Sequence, residues 1–353
     1  MAAHLPIARP DGRVTRLPRG RWIAAALVGA AASVGLVLGA AAPAAAQSAQ
    51  PAQPGSTSSV SPPNTEYGPL PVPFDFRAGV VASLNPEVPP PGANDFHCKP
   101  TAENPRPVVM VNPTFTTQAF AWQAGAPFLK NDGFCVFTFN HGNITPFPGM
   151  PLQALGDIRQ AGQTLSAFVD RVLAETGATE VDLVGHSQGG GVLPDYYLKV
   201  LGGADKVHTK VGISPSTQTT LSELVYLRTL IPRLGPAVYG SLENTAPALT
   251  QQAQGSDLAR EVYPEGAVGI PGVQLYSVYS EYDEAVTPFT RQIYSGEGVT
   301  NIHLQDGCAE DLSEHIATMY SERTWLHVRN ALAPNRAEPV PCFPVAPFWP
   351  GVH

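Results

Sequence analysis

Charged side chains are scarce in this chain, and basic ones are the scarcer. Asp, Glu, Lys and Arg make up 14% of the 353 residues, compared with about a quarter in an average globular protein. The formal net charge is −8, and no cluster of Lys or Arg occurs after Arg21. Because nucleic acids and anionic membranes attract basic surfaces, we expect no nucleic-acid partner.

Several motifs of metal and nucleotide chemistry are missing as well. The sequence has no His-Glu-x-x-His, no Cys-x-x-Cys, no phosphate-binding glycine loop ending in Lys-Ser/Thr and no dinucleotide fingerprint. We therefore expect neither a cofactor nor a metal ion, although Asp306, Glu310 and Asp311 leave a calcium site open.

Cysteine is rare, and the four present are Cys98, Cys135, Cys308 and Cys342. In an exported chain, an even number of widely spaced cysteines favours disulfides over metal ligation. Three pairings are possible. We favour Cys98–Cys135 with Cys308–Cys342, because each bond closes a local loop of similar length and stabilises the fold by about 4 kcal/mol in the chain-entropy model.

The N-terminal segment has the pattern of a secretory signal peptide. Five arginines precede an uncharged, alanine-rich run over residues 22–42, which ends at Ala44-Ala45-Ala46. Cleavage after residue 46 removes five arginines and one aspartate, which changes the net charge from −8 to −12. An uncleaved membrane anchor is the alternative. Residues 47–66, rich in Gln, Pro and Ser, are predicted to form a flexible linker.

Strand and helix signals alternate from residue 107 onwards, which predicts one α/β domain over residues 67–333 with a mostly parallel sheet and helices on both faces. Apolar spacing predicts a helix with Phe120, Ala124 and Phe128 on one face, a helix from Ile158 to Gly177 and a final helix capped by Ser321. The predicted strands are residues 108–111, 134–139, 181–184, 207–213, 273–279 and 300–304.

The alternation is interrupted by residues 215–270, a segment with few charges and more Leu, Val and Tyr than one core-facing stripe needs. We predict that this insertion is a helical cap over a substrate cleft; extra core is the alternative. Residues 334–353 are rich in Pro and are predicted to be a surface tail tethered at Cys342.

The most informative motif is Gly185-His186-Ser187-Gln188-Gly189, which follows an apolar strand and precedes a helix-like stretch. A serine at the tip of a tight strand-to-helix turn needs small neighbours, so the two glycines have a steric cause. The motif and its context predict a nucleophile elbow with Ser187 as the nucleophile.

A serine nucleophile needs a histidine base and an acid that orients it, and in α/β hydrolases the chain order is Ser, Asp or Glu, His. Asp283 follows the strand at residues 273–279, and His315 follows the strand at residues 300–304. Both loops are expected at the same edge of the sheet as Ser187. We therefore predict a Ser187/Asp283/His315 triad.

Other residues are weaker candidates for these roles. His303 and His327 lie inside predicted secondary structure, and His186 is expected to point away from the base. Asp306 and Asp311 follow the wrong strand, and Glu281 and Glu284 are expected to be solvated charges beside Asp283.

Two backbone donors should stabilise the oxyanion. The first is the N–H of Gln188, which follows the nucleophile, and the second comes from the loop after residues 108–111. Pro113 has no N–H, so Thr114 is the expected donor and Phe115 the alternative.

The chain resembles the secreted triacylglycerol lipases of the class 2 bacterial group and, more distantly, Candida lipase B. The resemblance implies an α/β-hydrolase fold, lipase or carboxylesterase activity, the same triad and the same disulfide pairing. It differs at Asn112-Pro113, where the bacterial relatives usually have His-Gly. The residues that carry it are Cys98, residues 108–111 with Thr114-Phe115, Trp122, residues 133–136, residues 185–190, residues 283–288, and Cys308 with residues 311–315.

These observations predict an exported serine hydrolase that cleaves carboxylic esters of acyl lipids, with at most transient contact with a lipid interface. An acyltransferase or a polyester hydrolase with the same triad is the alternative among enzymes. A catalytically silent binding protein of the same fold is the alternative outside enzymes.

Overall fold

The computed structural model describes residues 67–144, 152–220 and 234–347. The expected signal peptide and linker lie outside these residues, as do residues 221–233 of the insertion and the last six residues of the tail.

A parallel sheet lies at the centre of the described chain, and the prediction of an α/β fold with a parallel sheet is confirmed. Its strand order is β2-β1-β3-β4-β5-β6, and every neighbouring pair is parallel. The strands are β1 (Val108–Val111), β2 (Val136–Phe139), β3 (Val181–His186), β4 (Val207–Ile213), β5 (Gln274–Tyr279) and β6 (Val299–His303).

Helices cover both faces of this sheet. Successive side chains of β1 alternate between two apolar clusters: Val108 belongs to the cluster that contains Trp325, and Val109 to the cluster that contains Leu165. The described helices are α1 (Phe76–Ala82), α2 (Gln118–Ala121), α3 (Gly125–Asn131), α4 (Ile158–Thr176), α5 (Val192–Lys199), α6 (Leu234–Thr245), α7 (Pro247–Gln251), α8 (Asp257–Val262), α9 (Ala317–Tyr320) and α10 (Glu322–Leu332).

Two predicted helices are confirmed together with their end signals. Helix α4 begins after Asp157, whose carboxylate accepts from Arg159 N at 2.7 Å, and ends at Gly177 with a φ of +78°. Helix α10 begins after Ser321, whose side chain accepts from Thr324 N. The Gly177 stop and the Ser321 cap are those that the sequence indicated, whereas the Asp157 cap was not predicted.

The prediction of a single helix through Phe120, Ala124 and Phe128 is wrong, because the segment forms α2 and α3 with a break around Trp122. Pro127 gives the physical reason. A proline inside one continuous helix would remove a hydrogen bond and clash with the preceding turn, but it fits the first turn of a helix that begins at Gly125.

The described part of the insertion contains the helices α6, α7 and α8 and belongs partly to the core. Leu258, Val262, Tyr263 and Ile270 are buried in the cluster that packs on α4 and α5. The burial of these residues agrees with the alternative that the insertion adds to the core. A cap over a substrate cleft stays a prediction.

Two disulfides close the chain at opposite ends of the domain sequence. They join Cys98 to Cys135 and Cys308 to Cys342, with Cα atoms 5.7 and 5.2 Å apart. The second bond tethers the largely exposed tail, in which Val345 N donates to Glu310 O at 3.1 Å. The tail therefore borders the loop that leads to His315.

A buried polar cluster joins α5 to the sheet. The Lys210 ammonium on β4 is paired with Asp195 of α5 and donates to Tyr294 Oη at 2.9 Å. Tyr263 and Tyr294 each donate to Asp195 Oδ2 at 2.7 Å. Both charged groups are fully buried, so each is stabilised by its partner in place of water.

None of the helices in the described residues is long and apolar enough to cross a membrane.

Candidate active site

Ser187 lies in a strained turn directly after β3. Its φ is +54°, a left-handed conformation that is uncommon for residues other than glycine. A short 3-10 turn over Ser187–Gly189 leads towards α5, and Ser187 O accepts from Gly191 N and Ser216 N, both at 2.9 Å. This backbone holds the serine at the carboxyl end of the strand, as the elbow motif predicted.

The two motif glycines are required by close backbone contacts. A Cβ atom on Gly185 would lie 1.7 Å from Gly189 O, and one on Gly189 would lie 2.1 Å from Val111 O. A side chain at Gly185 would open the turn itself and one at Gly189 would push the turn away from β1, which explains the spacing around Ser187.

Asp283 is held by its own loop, four residues after β5. Its Oδ1 accepts from Ala285 N at 2.9 Å and from Val286 N at 2.7 Å. Its Oδ2 lies 2.7 Å from His315 Nδ1. One oxygen therefore fixes the carboxylate while the other orients the imidazole, the division of work that an orienting acid needs.

His315 is almost completely buried, and its main chain is fixed from two sides. Its N–H donates to Glu284 Oε2 at 3.3 Å, and its carbonyl accepts from Thr318 Oγ1 at 2.8 Å. Glu314, also buried, accepts from Ile316 N at 2.9 Å and anchors the following turn.

The charges around His315 set its protonation. Burial alone would lower the pKa of His315, but the Asp283 carboxylate, with smaller contributions from Glu284 and Glu314, raises it to about 9. Burial and the Glu284 charge likewise raise the pKa of Glu314 to about 7. The surrounding carboxylates thus favour the charged form of the His315 imidazole.

The structure brings Asp283 and His315 into contact but leaves one link of the expected triad open. Among the described residues, no hydrogen bond joins Ser187 Oγ to His315 Nε2; His315 bonds through Nδ1 and its main chain. Such bonds are often long or misaligned before substrate binds.

The two expected oxyanion residues are neighbours. Gln188 Nε2 donates to Thr114 Oγ1 at 3.1 Å, which brings the loop after β1 against the elbow. Asn112 stiffens that loop, since its Nδ2 donates to Thr116 O at 2.7 Å. The alternative donor, Phe115, has a φ of +68° and an exposed side chain.

Gln252, in the insertion, is a site residue that the sequence analysis missed. Its Nε2 donates to Thr114 Oγ1 at 3.0 Å and to Ala248 O at 3.0 Å. The side chain is buried, and no local pattern marks it, because its partner Thr114 is distant in sequence.

Two expectations about neighbouring side chains are wrong. His186 was expected to point away from the base, but its ring centroid lies 4.6 Å from that of His315 and its Nε2 lies 2.7 Å from His315 O. Glu284 was expected to be solvated, but it is half-buried and accepts from His315 N. Glu281 and Glu284 are identical residues in one loop, so the sequence did not indicate that only Glu284 turns inward.

The weaker candidates for base and acid are engaged elsewhere. His303 Nδ1 lies 2.9 Å from Asp306 Oδ1, and the ring stacks on Tyr279. Burial lowers the pKa of His327, within α10, to about 4. Asp311 is paired with Arg323, which leaves it no role at His315.

In residues 67–144, 152–220 and 234–347, no three His, Cys, Asp or Glu side chains are grouped so that they could hold a metal ion.

Two of the solved structures that match this chain carry the name lipase. Lipase B from Aspergillus fumigatus matches at a TM-score of 0.53 and 20% identity over 80% of this chain, which spans 64% of that lipase. The Bacillus licheniformis lipase BlEst2 matches at 0.42 and 15% identity, over 66% of this chain and 94% of its own. At 20% identity, the likeness to the Aspergillus fumigatus lipase shows a shared fold and nothing about substrate.

A family model described as the alpha/beta hydrolase fold matches residues 107–310, more than half of the chain. It spans the parallel sheet, the turn at Ser187 and the loop of Asp283. The chain belongs to the α/β-hydrolase fold family.

Proposed function

We propose that this chain is a secreted serine hydrolase that cleaves carboxylic esters of acyl lipids through an acyl-enzyme intermediate. The observation that carries the proposal is the 2.7 Å contact between Asp283 Oδ2 and His315 Nδ1, with Asp283 Oδ1 held by two backbone N–H groups. A histidine oriented in this way, beside a serine in an elbow, supports nucleophilic acyl transfer.

In the first half-reaction, Ser187 Oγ attacks the ester carbonyl carbon while its proton passes to His315 Nε2. The tetrahedral intermediate collapses, and the leaving alcohol takes the proton from His315. In the second half-reaction, water gives a proton to His315 and attacks the acyl carbon. The carboxylic acid leaves, and Ser187 regains its proton.

The negative oxygen of each tetrahedral intermediate is assigned to the N–H groups of Gln188 and Thr114. The contact between the side chains of these two residues supports this role, because it keeps the two main chains close together before substrate arrives. Donors that are already in place where negative charge develops stabilise the transition state without a cost of reorganisation.

An acyl lipid as substrate is supported by the apolar side chains on the loops of the site. Phe115 is 43% exposed beside Thr114, Tyr282 is 43% exposed beside Asp283, and Leu312 is 39% exposed near His315. Exposed apolar groups on the loops that carry the proposed catalytic side chains suit an ester with a hydrocarbon chain. The insertion at residues 215–270 is assigned to the acyl-binding cleft.

Export is supported by the arginine-rich and alanine-rich N-terminal pattern and by the two disulfides, which persist in oxidising compartments. The segments follow the sequence analysis: a signal peptide to residue 46, a linker to residue 66, the hydrolase domain to residue 333 and the tail. We propose further that the enzyme belongs to the class 2 bacterial lipase group that its sequence resembles.

Hydrolysis of p-nitrophenyl esters of increasing acyl length tests the proposal. We expect turnover of acetate to decanoate esters, a kcat/KM that rises with chain length, and loss of turnover in Ser187→Ala, by about 10⁶-fold in kcat. Activity that persists in Ser187→Ala would contradict the serine mechanism. Activity restricted to the acetate ester would contradict the lipid substrate.

A further inference from the structure

The imidazole of His186 contacts His315 although the proposed mechanism gives it no step. Its Nε2 lies 2.7 Å from the backbone oxygen of His315 and 3.2 Å from Thr318 Oγ1. The centroids of the two histidine rings are 4.6 Å apart, and His186 is 1% exposed. A titratable side chain this deeply buried beside the base requires an explanation.

The partners of His186 fix its proton. A carbonyl oxygen only accepts, so Nε2 of His186 must carry the hydrogen that is donated to His315 O. Thr318 Oγ1 donates to the same oxygen at 2.8 Å, so both lone pairs of that carbonyl are used. Burial, with a smaller effect of the His315 charge, keeps the pKa of His186 well below its ordinary value, which makes a neutral donor the stable form.

His186 and the nucleophile are carried by the same rigid element. His186 is the last residue of β3, and Ser187 follows it directly. The strand is fixed at this point because it lies between β1 and β4, with His186 in register with Ile213. The hydrogen bond to His315 O therefore links the main chain of the base to the strand that places Ser187.

We propose that His186 is a positioning residue: its Nε2–H sets the distance between Ser187 Oγ and the imidazole of His315. The inference rests on the proposed function, since it gives His315 the role of general base. A base accepts the serine proton only within hydrogen-bond reach, and a displacement of about 1 Å can lower a rate by about 10²-fold.

Two nearly isosteric replacements separate this role from simple packing. His186→Gln keeps an N–H donor at a similar reach, whereas His186→Met fills similar space without one. With p-nitrophenyl butyrate, we expect His186→Met to lose about 10²-fold in kcat with KM unchanged, and His186→Gln to recover most of that loss. The rate of Ser187 modification by a fluorophosphonate should fall in parallel, because the same serine proton must be removed.

Equal activity of His186→Met and the wild type would overturn the proposal, and so would equal impairment of the Gln and Met variants. If His186→Met does not fold, Thr318→Val removes the other donor to the same carbonyl; an unchanged kcat in this variant would also overturn it. Wild-type protein that fails to react at Ser187 would instead refute the proposed function, so the two failures are distinguishable.

Discussion

His315 Nδ1 lies 2.7 Å from Asp283 Oδ2, and this pair determines both the tautomer and the charge of the imidazole. Because Nδ1 donates to the carboxylate, Nε2 is left to accept a proton. The same carboxylate stabilises the charged ring, which is why the pKa of His315 is raised to about 9.

The first prediction concerns pH. His315 accepts the serine proton only when neutral, so kcat/KM should increase about tenfold per pH unit up to about pH 9, rather than level off above about 6.5. Stability should change in the opposite direction to activity as pH rises. The ion pair with Asp283 contributes fully to the free energy of unfolding below about pH 6.5, and this contribution is lost as pH rises through about 9.

Glu284→Gln provides the matched test of this charge effect. It removes a negative charge beside His315, so the acid limb of the kcat/KM profile should move to lower pH, while Glu281→Gln, at an exposed position in the same loop, should leave it in place. A wild-type limb near pH 6.5, or a limb unmoved in Glu284→Gln, would contradict the account.

The second prediction is that Asp283→Asn lowers kcat by about 10⁴-fold without unfolding the protein. The amide oxygen can still accept from Ala285 N and Val286 N, which preserves the loop, but an amide N–H facing His315 favours the wrong imidazole tautomer. Steady-state kinetics and a thermal melt check both parts. A variant with near-normal kcat would assign the orienting acid elsewhere.

The third prediction concerns Gln252, the insertion residue that contacts Thr114. Gln252→Met removes a hydrogen bond to Thr114 Oγ1 at nearly constant volume, so the oxyanion loop should lose part of its support. We expect kcat to fall by less than the about 10²-fold that loss of an oxyanion donor itself costs. Gln254→Met is the control, because Gln254 is exposed and lies two residues after Gln252. Equal kcat in both variants would rule out a role for Gln252.

The main elements of the fold and of the site were predictable from local patterns. β1 shows this best, because its four apolar residues are all buried, and its predicted bounds are those observed. Ser187, Asp283 and His315 were recognisable because each follows a strand, and parallel strands end at one edge of the sheet.

The contacts between distant segments were not predictable. Gln252 meets Thr114 across 138 positions, and His186 meets the His315 backbone across 129. Such pairs depend on how helices and loops pack, which no short sequence period encodes. The break between α2 and α3 was a different error, in which apolar spacing outweighed the signal of Pro127.

The fourth prediction concerns stability. Lys210→Met leaves the Asp195 carboxylate buried without its cation and should lower the free energy of unfolding by about 3 to 5 kcal/mol in urea titrations. Lys206→Met breaks an exposed pair with Asp170 and should cost less than about 1 kcal/mol. Equal losses in the two variants would show that the buried cluster does not hold α5 against the sheet.

The central claim is that Ser187 is a nucleophile activated by His315. Reaction of the intact protein with a fluorophosphonate, followed by peptide mass spectrometry, tests it directly. The account predicts one covalent adduct, on Ser187, whose formation slows in His315→Ala while His303→Ala reacts at the wild-type rate. An adduct on another residue, or labelling of Ser187 that is unaffected in His315→Ala, would contradict it.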